Sequence, residues 1–497
     1  MSYLGQKGYS ISKQNLSEEQ QYFIRKELTI KPFVQNSPAA QTVSFPAYRE
    51  SPQKFYLPRY FGEEHFGPPS QIKISQGDDI NVPFIGELRE NQKPVVKAYM
   101  DHVQGTIGQG TIGQGTGGQV GGGGGLLELP CAYGKTILAL HICSLLKKKT
   151  LIIVHKDFLL NQWIERIQQF LPTTRVGRIQ GQTLDIENKD IVIGMLQSLS
   201  MKDYHETTFL SFGLTIIDEV HHISSEVFSC ALFKIVTKYM LGLSATMNRK
   251  DGTTKVFKMF LGNVVYKGKR DEQHDVTVRA IEYKANDTEF NNVTLDFRGN
   301  VQYSTMISKL CTYNHRTEFM LRVLTDMILE NENQQVMILA HNKNILKYMH
   351  DAIQTRNIAT VGYYVGGMKE AALKESEAKK VIIATYSMAA EALDIKTLTT
   401  LIMATPKTDI EQAVGRILRE KHSKPIVVDI IDAHAPFQNQ WTKRKVFYKK
   451  QNYKIIKIAS ENYTTDLSKW KPVGITTKCP EDKDLPGKCL LKIKLQK

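Results

Sequence analysis

A chain of 497 residues with 41% hydrophobic and 23% charged side chains has the composition of a folded protein, and room for about three domains. No apolar run approaches the roughly 20 residues that span a bilayer, Met1 to Ser10 have no signal core, and none of the six cysteines sits in a CxxC pair. Membrane spanning, secretion, a disulfide framework and a zinc site are therefore not signalled, and a reducing compartment is expected.

Residues 1–85 are rich in Pro, Tyr and Phe without a strong period, which predicts an irregular or β-containing accessory module. Residues 104–125 are of low complexity. Gly105-Thr106-Ile107-Gly108-Gln109 repeats as Gly110-Thr111-Ile112-Gly113-Gln114, and the stretch ends in five glycines, so a flexible surface loop is expected. Gly108, Gly110 and Gly113 match GxGxxG, but no strand pattern precedes them and no helix pattern follows, so no dinucleotide site is read there.

From Leu126 onward short apolar runs alternate with helix-like patterns. Residues 126–129, 150–154, 190–193 and 214–217 read as buried strands, and 335–339, 380–384, 400–403 and 426–429 form a second set. Strands alternating with helices imply parallel sheets. The expected class is α/β, with two tandem doubly wound parallel-sheet domains at 86–275 and 276–440 and a junction around 275–305. A basic extension follows at 441–497. It carries 15 Lys and Arg against 5 Asp and Glu, a large share of the net charge of +15. Tyr448, Tyr453, Tyr463 and Trp470 are interleaved with that charge. The extension is either a solvated surface or a contact for phosphates and bases.

Four stretches carry chemistry. In Leu129-Pro130-Cys131-Ala132-Tyr133-Gly134-Lys135-Thr136, a turn between strand and helix lets backbone N–H groups wrap a triphosphate. Lys135 would neutralise the phosphates, and the Thr136 hydroxyl would bind Mg²⁺. Leu129 stands where the eight-residue loop pattern has Gly. Ile216-Ile217-Asp218-Glu219-Val220-His221 ends an apolar strand in two acids, Asp218 for the metal and Glu219 for the attacking water. Ser244-Ala245-Thr246 places small hydroxyls after a strand, where they could relay the state of the acidic site. In Glu411-Gln412-Ala413-Val414-Gly415-Arg416-Ile417-Leu418-Arg419, a helix would put Gln412, Arg416 and Arg419 on one face, two guanidinium groups suited to a γ-phosphate.

In this order, over two α/β domains, these motifs resemble the superfamily 2 helicases across roughly residues 86–435. The resemblance implies tandem RecA-like domains, ATP and Mg²⁺ as cofactors, and further site residues. Leu88 to Gln92 is similar to the adenine-reading element, with Arg89 and Gln92 beside the nucleotide. His155, Lys156, Trp163 and Gln197 of the first domain, and His341, Asn342 and Thr385 of the second, match elements that track the nucleic-acid backbone. Asp394 falls in the element that couples the backbone to the nucleotide, and His221 with Ser244, Ala245 and Thr246 in coupling elements of the first domain. Leu241 to Asp251, including Arg249, is similar to the XPB and UvsW type of DNA translocase, in the branch found in large cytoplasmic DNA viruses. DNA as partner, 3′-to-5′ movement, contact with viral transcription machinery and a cytoplasmic location are thereby implied. RNA is the alternative substrate, and a nucleic-acid-binding scaffold with feeble ATPase the alternative of another class. Ala132 and Ala392 stand where the family carries Gly, and Lys250 interrupts the family's Arg-Glu-Asp. A positive φ at Ala132 would strain the turn.

Overall fold

Short runs of Val, Ile and Leu become fully buried strands, and the segments between them wind back as helices, so both halves of the chain build parallel sheets. The computed structural model describes residues 2–32, 44–105, 122–130, 133–221, 226–247, 252–269, 275–391, 395–418 and 424–474, with the side chains of residues 227, 228, 390, 391 and 412 left aside. Two compact units result, residues 1–272 and 273–497.

The first unit opens with a five-stranded sheet in the order Arg49–Glu50, Lys54–Leu57, Gly8–Ser12, Ser2–Gly5 and Gln71–Ile72. Its helix Glu18–Leu28 starts at a capping box in which Ser17 and Gln20 satisfy each other's backbone N–H. An eight-stranded sheet follows. Its order is Thr183–Asp185, Val176–Gln180, Ile191–Met195, Thr150–Val154, Leu214–Ile217, Tyr239–Ser244, Gly123–Glu128 and Val264–Lys267, parallel except at the first pair.

The expected glycine loop is corrected at its end. Gly123, Gly124 and Gly125 pair with Tyr239, Met240 and Leu241 inside the sheet, while residues 106–121 lie outside the described residues. The glycines are there for space. A Cβ on Gly124 would stand 2.5 Å from the Leu261 carbonyl oxygen, and one on Gly125 would stand 2.4 Å from Val265 Cγ2. The Tyr60 hydroxyl, from the N-terminal module, bonds both the N–H and the carbonyl of Gly124.

In the second unit the order is Val361–Tyr364, Val381–Thr385, Gln335–Ala340, Leu398–Met403, Ile426–Asp432, Thr277–Tyr283, Lys454–Ala459 and Lys471–Pro472, parallel except at the last pair. Two expectations change. The stretch expected as a junction supplies an interior strand, Thr277–Tyr283, whose charges are matched: Arg279 forks onto Glu330 at 2.6 Å, and Glu282 meets Lys457 at 3.0 Å. The basic extension, as far as residue 474, is part of this unit. Helix Ala435–Lys450 buries Trp441 and Tyr448, the next strand lies in the sheet, and Tyr453 and Trp470 are only 5% exposed. Tyr463 packs edge-on against Trp470. These aromatics therefore serve the core and are not presented to bases; residues 475–497 lie outside the described residues.

Beneath the helix, two arginines close two acids. Arg444 grips Asp429 through two bonds of 2.8 Å, joined by the Tyr448 hydroxyl at 3.0 Å. Arg316 grips Asp432 at 2.6 and 2.9 Å, and both partners are fully buried. The same arginines hold the loop after Leu398–Met403: Arg316 donates to the Ala404 carbonyl and Arg444 to that of Lys407, while the Tyr386 and Tyr303 hydroxyls donate to those of Thr405 and Pro406. Four successive carbonyls are thus fixed from four elements.

Candidate functional site

Strand Gly123–Glu128 leads to Leu129 and Pro130, and helix Lys135–Leu146 begins after Gly134. Gly134 has φ of 88°, and a Cβ there would stand 2.4 Å from Gln92 Nε2, so only glycine admits that approach. Cys131 and Ala132 lie outside the described residues, and with them the turn in question. Tyr133 is the hub of the loop's far side. Its carbonyl accepts from Arg89 at 2.6 Å and from Gln92 at 2.8 Å, and its hydroxyl donates to Asn91. The Gln92 amide oxygen also accepts from the Arg89 N–H, at 2.9 Å. Gln92 is itself buried, so these bonds fix its carboxamide against the loop.

The acids lie just past strand Leu214–Ile217. Asp218 N–H donates to the Ile153 carbonyl, and Glu219 takes a left-handed φ of 50°, uncommon for a residue with a side chain. Lys135 Nζ stands 3.3 Å from Glu219 Oε1, and His221 Nδ1 3.4 Å from Glu219 Oε2. His221 Nδ1 also meets Ser244 Oγ at 3.2 Å, and Ser244 Oγ donates to the Thr246 carbonyl at 2.7 Å. A series of polar neighbours therefore runs from Lys135 through Glu219 and His221 to Ser244 and Thr246, its Glu219–His221 step a close approach and not a hydrogen bond; Ala245 sits in the turn between the last two. Burial, and then the neighbouring Glu219, push the Asp218 carboxyl above the usual range. A bound cation would reverse that push.

Trp163 is corrected. Helix Asp157–Phe170 buries Leu159, Leu160, Trp163 and Ile167, so Trp163, 2% exposed, does not face a nucleic-acid backbone. Its indole N–H donates to Asp218 Oδ2 at 3.1 Å. It positions the acid, a role that the helical spacing of the four apolar residues could have signalled. His155 and Lys156 follow strand Thr150–Val154, and Gln197 is exposed on helix Leu196–Met201.

In the second unit, His341 follows strand Gln335–Ala340, and Asn342 precedes helix Lys343–Thr355. His341 N–H donates to Thr405 Oγ1 at 3.0 Å, and its Nδ1 pairs with the same hydroxyl at 2.8 Å. Desolvation and then Lys407 hold its imidazole down to about 4, so it is neutral at pH 7. Thr385 ends its strand beside Ser387, at 3.2 Å between hydroxyls. Arg416 closes helix Glu411–Arg416 and donates from Nε to the Ala389 carbonyl at 2.8 Å. The helix stops there, so the expected face running on to Arg419 is not helical throughout. Arg249, Lys250, Ala392, Asp394, Arg419 and the Gln412 side chain lie outside the described residues.

The first unit's residues fit a nucleotide and Mg²⁺. A lysine and a hydroxyl start a helix whose N-terminus favours anions, and Asp218 and Thr136 are hard oxygen donors. Among the described residues no group of three or more His, Cys, Asp or Glu could hold a metal. No helix among them is long and apolar enough to cross a membrane.

Residues 85–249 match the family described as the type III restriction enzyme, res subunit. A protein of Acanthamoeba polyphaga mimivirus, named as an ATP-dependent RNA helicase, is 32% identical over 464 residues, 90% of this chain and 85% of that one. One of African swine fever virus (isolate Pig/Kenya/KEN-50/1950), with the same kind of name, is 29% identical over 360 residues, 67% of this chain and 70% of that one. The crystal structure of T4 UvsW aligns over 89% of this chain and 96% of its own, at 16% identity and a TM-score of 0.33.

Proposed function

We propose a specific task for this chain, which belongs to the ATP-dependent helicases of large DNA viruses: it uses ATP hydrolysis to move along DNA, 3′ to 5′, in late transcription or genome processing in the host cytoplasm. The observation that carries the ATP-hydrolysing part of the reading is the polar series from Lys135 through Glu219 and His221 to Ser244. When bound, Mg²⁺ would supply positive charge against the phosphates. Thr136 and Asp218 would hold it, with Trp163 orienting Asp218. Glu219 positions the attacking water and accepts its proton. Lys135, 3.3 Å from Glu219, holds a charge that a triphosphate would attract. Arg416 and Arg419 are assigned to charge that develops in the transition state.

The XPB- and UvsW-like stretch at 241–251 supports DNA. The names of the two viral relatives favour a second reading, RNA. Turnover measured with single-stranded DNA, duplex DNA and RNA of matched sequence separates the two. DNA is expected to stimulate the wild type, Lys135→Ala to abolish turnover, and Glu219→Gln to lower kcat by about 10² to 10⁴. Stimulation by RNA alone replaces the first reading with the second. Normal turnover by Glu219→Gln removes the mechanism.

A further inference from the structure

Phe297 is the most exposed large apolar side chain among the described residues, at 90%. It sits on a turn built to hold it. Leu295 and Val301 pair as an antiparallel bridge. Asp296 N–H donates to the Asn300 carbonyl at 2.7 Å, and Gly299 N–H to the Asp296 carbonyl at 3.0 Å. The Asp296 carboxylate accepts the N–H groups of Arg298 and Asn300, each at 2.8 Å. Gly299 takes φ of 77°, which closes the turn. The Arg298 guanidinium lies 5.0 Å from the Phe297 ring centre. An exposed aromatic that only filled space would need no such scaffold. A preformed aromatic loses little conformational freedom when it stacks on a partner.

We infer that Phe297 and Arg298 form a contact for single-stranded nucleic acid, the ring stacking on an unpaired base and the guanidinium meeting a neighbouring phosphate. The inference rests on the helicase reading and deepens it. Two observations favour this occupant. An aromatic beside an arginine is the pairing that binds bases without regard to sequence. The helix that begins two residues after the turn, Tyr303–Thr312, also reaches the loop that holds His341, a candidate backbone contact: the Tyr303 hydroxyl donates to the Pro406 carbonyl at 3.2 Å, next to Thr405, the partner of His341. The helix that follows the turn and His341 thus bear on adjacent residues of one fixed loop.

The test uses the full chain and a labelled oligothymidine strand of roughly 20 nucleotides, beside an abasic strand with the same phosphates. Phe297→Ala is expected to weaken binding of the base-bearing strand about tenfold or more, and that of the abasic strand far less. Phe297→Trp is expected to retain affinity. Because Trp163, Trp441 and Trp470 are all buried, the new indole emits from solvent, and saturating oligothymidine should quench it. Unchanged affinity in Phe297→Ala, equal losses on both strands, or unquenched emission in Phe297→Trp would each overturn the inference. Wild-type protein that binds no strand and gains no turnover overturns the helicase reading itself; wild-type protein that binds normally while Phe297→Ala binds equally well overturns the turn's role alone.

Discussion

Each parallel sheet carries two acids at or just past the carboxyl half of one interior strand, and the two pairs have opposite surroundings. Asp429 and Asp432, in Ile426–Asp432, are each gripped by an arginine through two bonds and sealed from water. Asp218, after Leu214–Ile217, accepts an indole N–H at 3.1 Å and the Glu219 backbone N–H at 3.0 Å, and Glu219 meets a lysine at 3.3 Å and His221 at 3.4 Å. A guanidinium matches a carboxylate fork for fork and fixes it through two parallel bonds. Asp218 and Glu219 instead meet a backbone N–H, an indole, an ammonium and an imidazole, each through a single atom. Position on the strand therefore does not separate the two pairs; the geometry of their partners does, a guanidinium fork for one pair and single-atom contacts for the other.

The contrast can be broken at either end. The largest expected effect on folding is Arg444→Met, which strands Asp429 as a buried unpaired charge and should cost about 3–5 kcal/mol in urea unfolding. Adding Asp429→Leu should recover most of that loss, whereas an equal loss in the double variant would show that the arginine's bond to the Lys407 carbonyl dominates. Glu219→Gln, by contrast, should leave the unfolding midpoint nearly unchanged. A middle effect is expected for Trp163→Phe. Losing one hydrogen bond to a charged acceptor should raise the Mg²⁺ concentration at half-maximal turnover about tenfold, with a parallel loss in Mn²⁺ binding followed by electron paramagnetic resonance. An unchanged Mn²⁺ affinity would reduce Trp163 to packing. The smallest is Tyr60→Phe, which removes the hydroxyl from Gly124 and should lower stability by about 1 kcal/mol in thermal melts.

The same contrast explains what the amino-acid sequence made legible. Strands buried on both faces, such as Thr150–Val154 and Leu214–Ile217, are unbroken apolar runs and were read close to their observed limits. Thr277–Tyr283 and Lys454–Ala459 were not, because Arg279, Glu282 and Lys457 interrupt them, and the ion pairs that make those charges tolerable come from distant segments. The triple glycine of Gly123–Glu128 has no side chains from which a period can be read. The phosphate loop and the acids were legible because their chemistry requires few residue types at fixed places. Trp163 was named but misassigned: its neighbours in sequence point to the backbone-tracking element, while its helical face points inward to Asp218. Arg444 was counted as one more charge in a basic stretch, and composition carries no direction.

The strand that launches the phosphate loop has a consequence for how this sequence can drift. A run of identical glycines offers no landmark of its own, so Gly123–Gly125 are placed by what surrounds them: the Tyr60 hydroxyl on Gly124, Leu261 and Val265 pressed against the bare Cα atoms, and the ladder to Tyr239. Were the run to gain or lose one glycine, a slip of one position would turn Leu126 and Leu127 to opposite faces of the sheet. The downstream end is pinned by those leucines and by Leu129, whose N–H donates to Ser244. Changes in repeat number must therefore be absorbed upstream of Gly122. Gly123, Gly124 and Gly125 are thus glycines whose place in the strand is set by their neighbours and not by their own side chains.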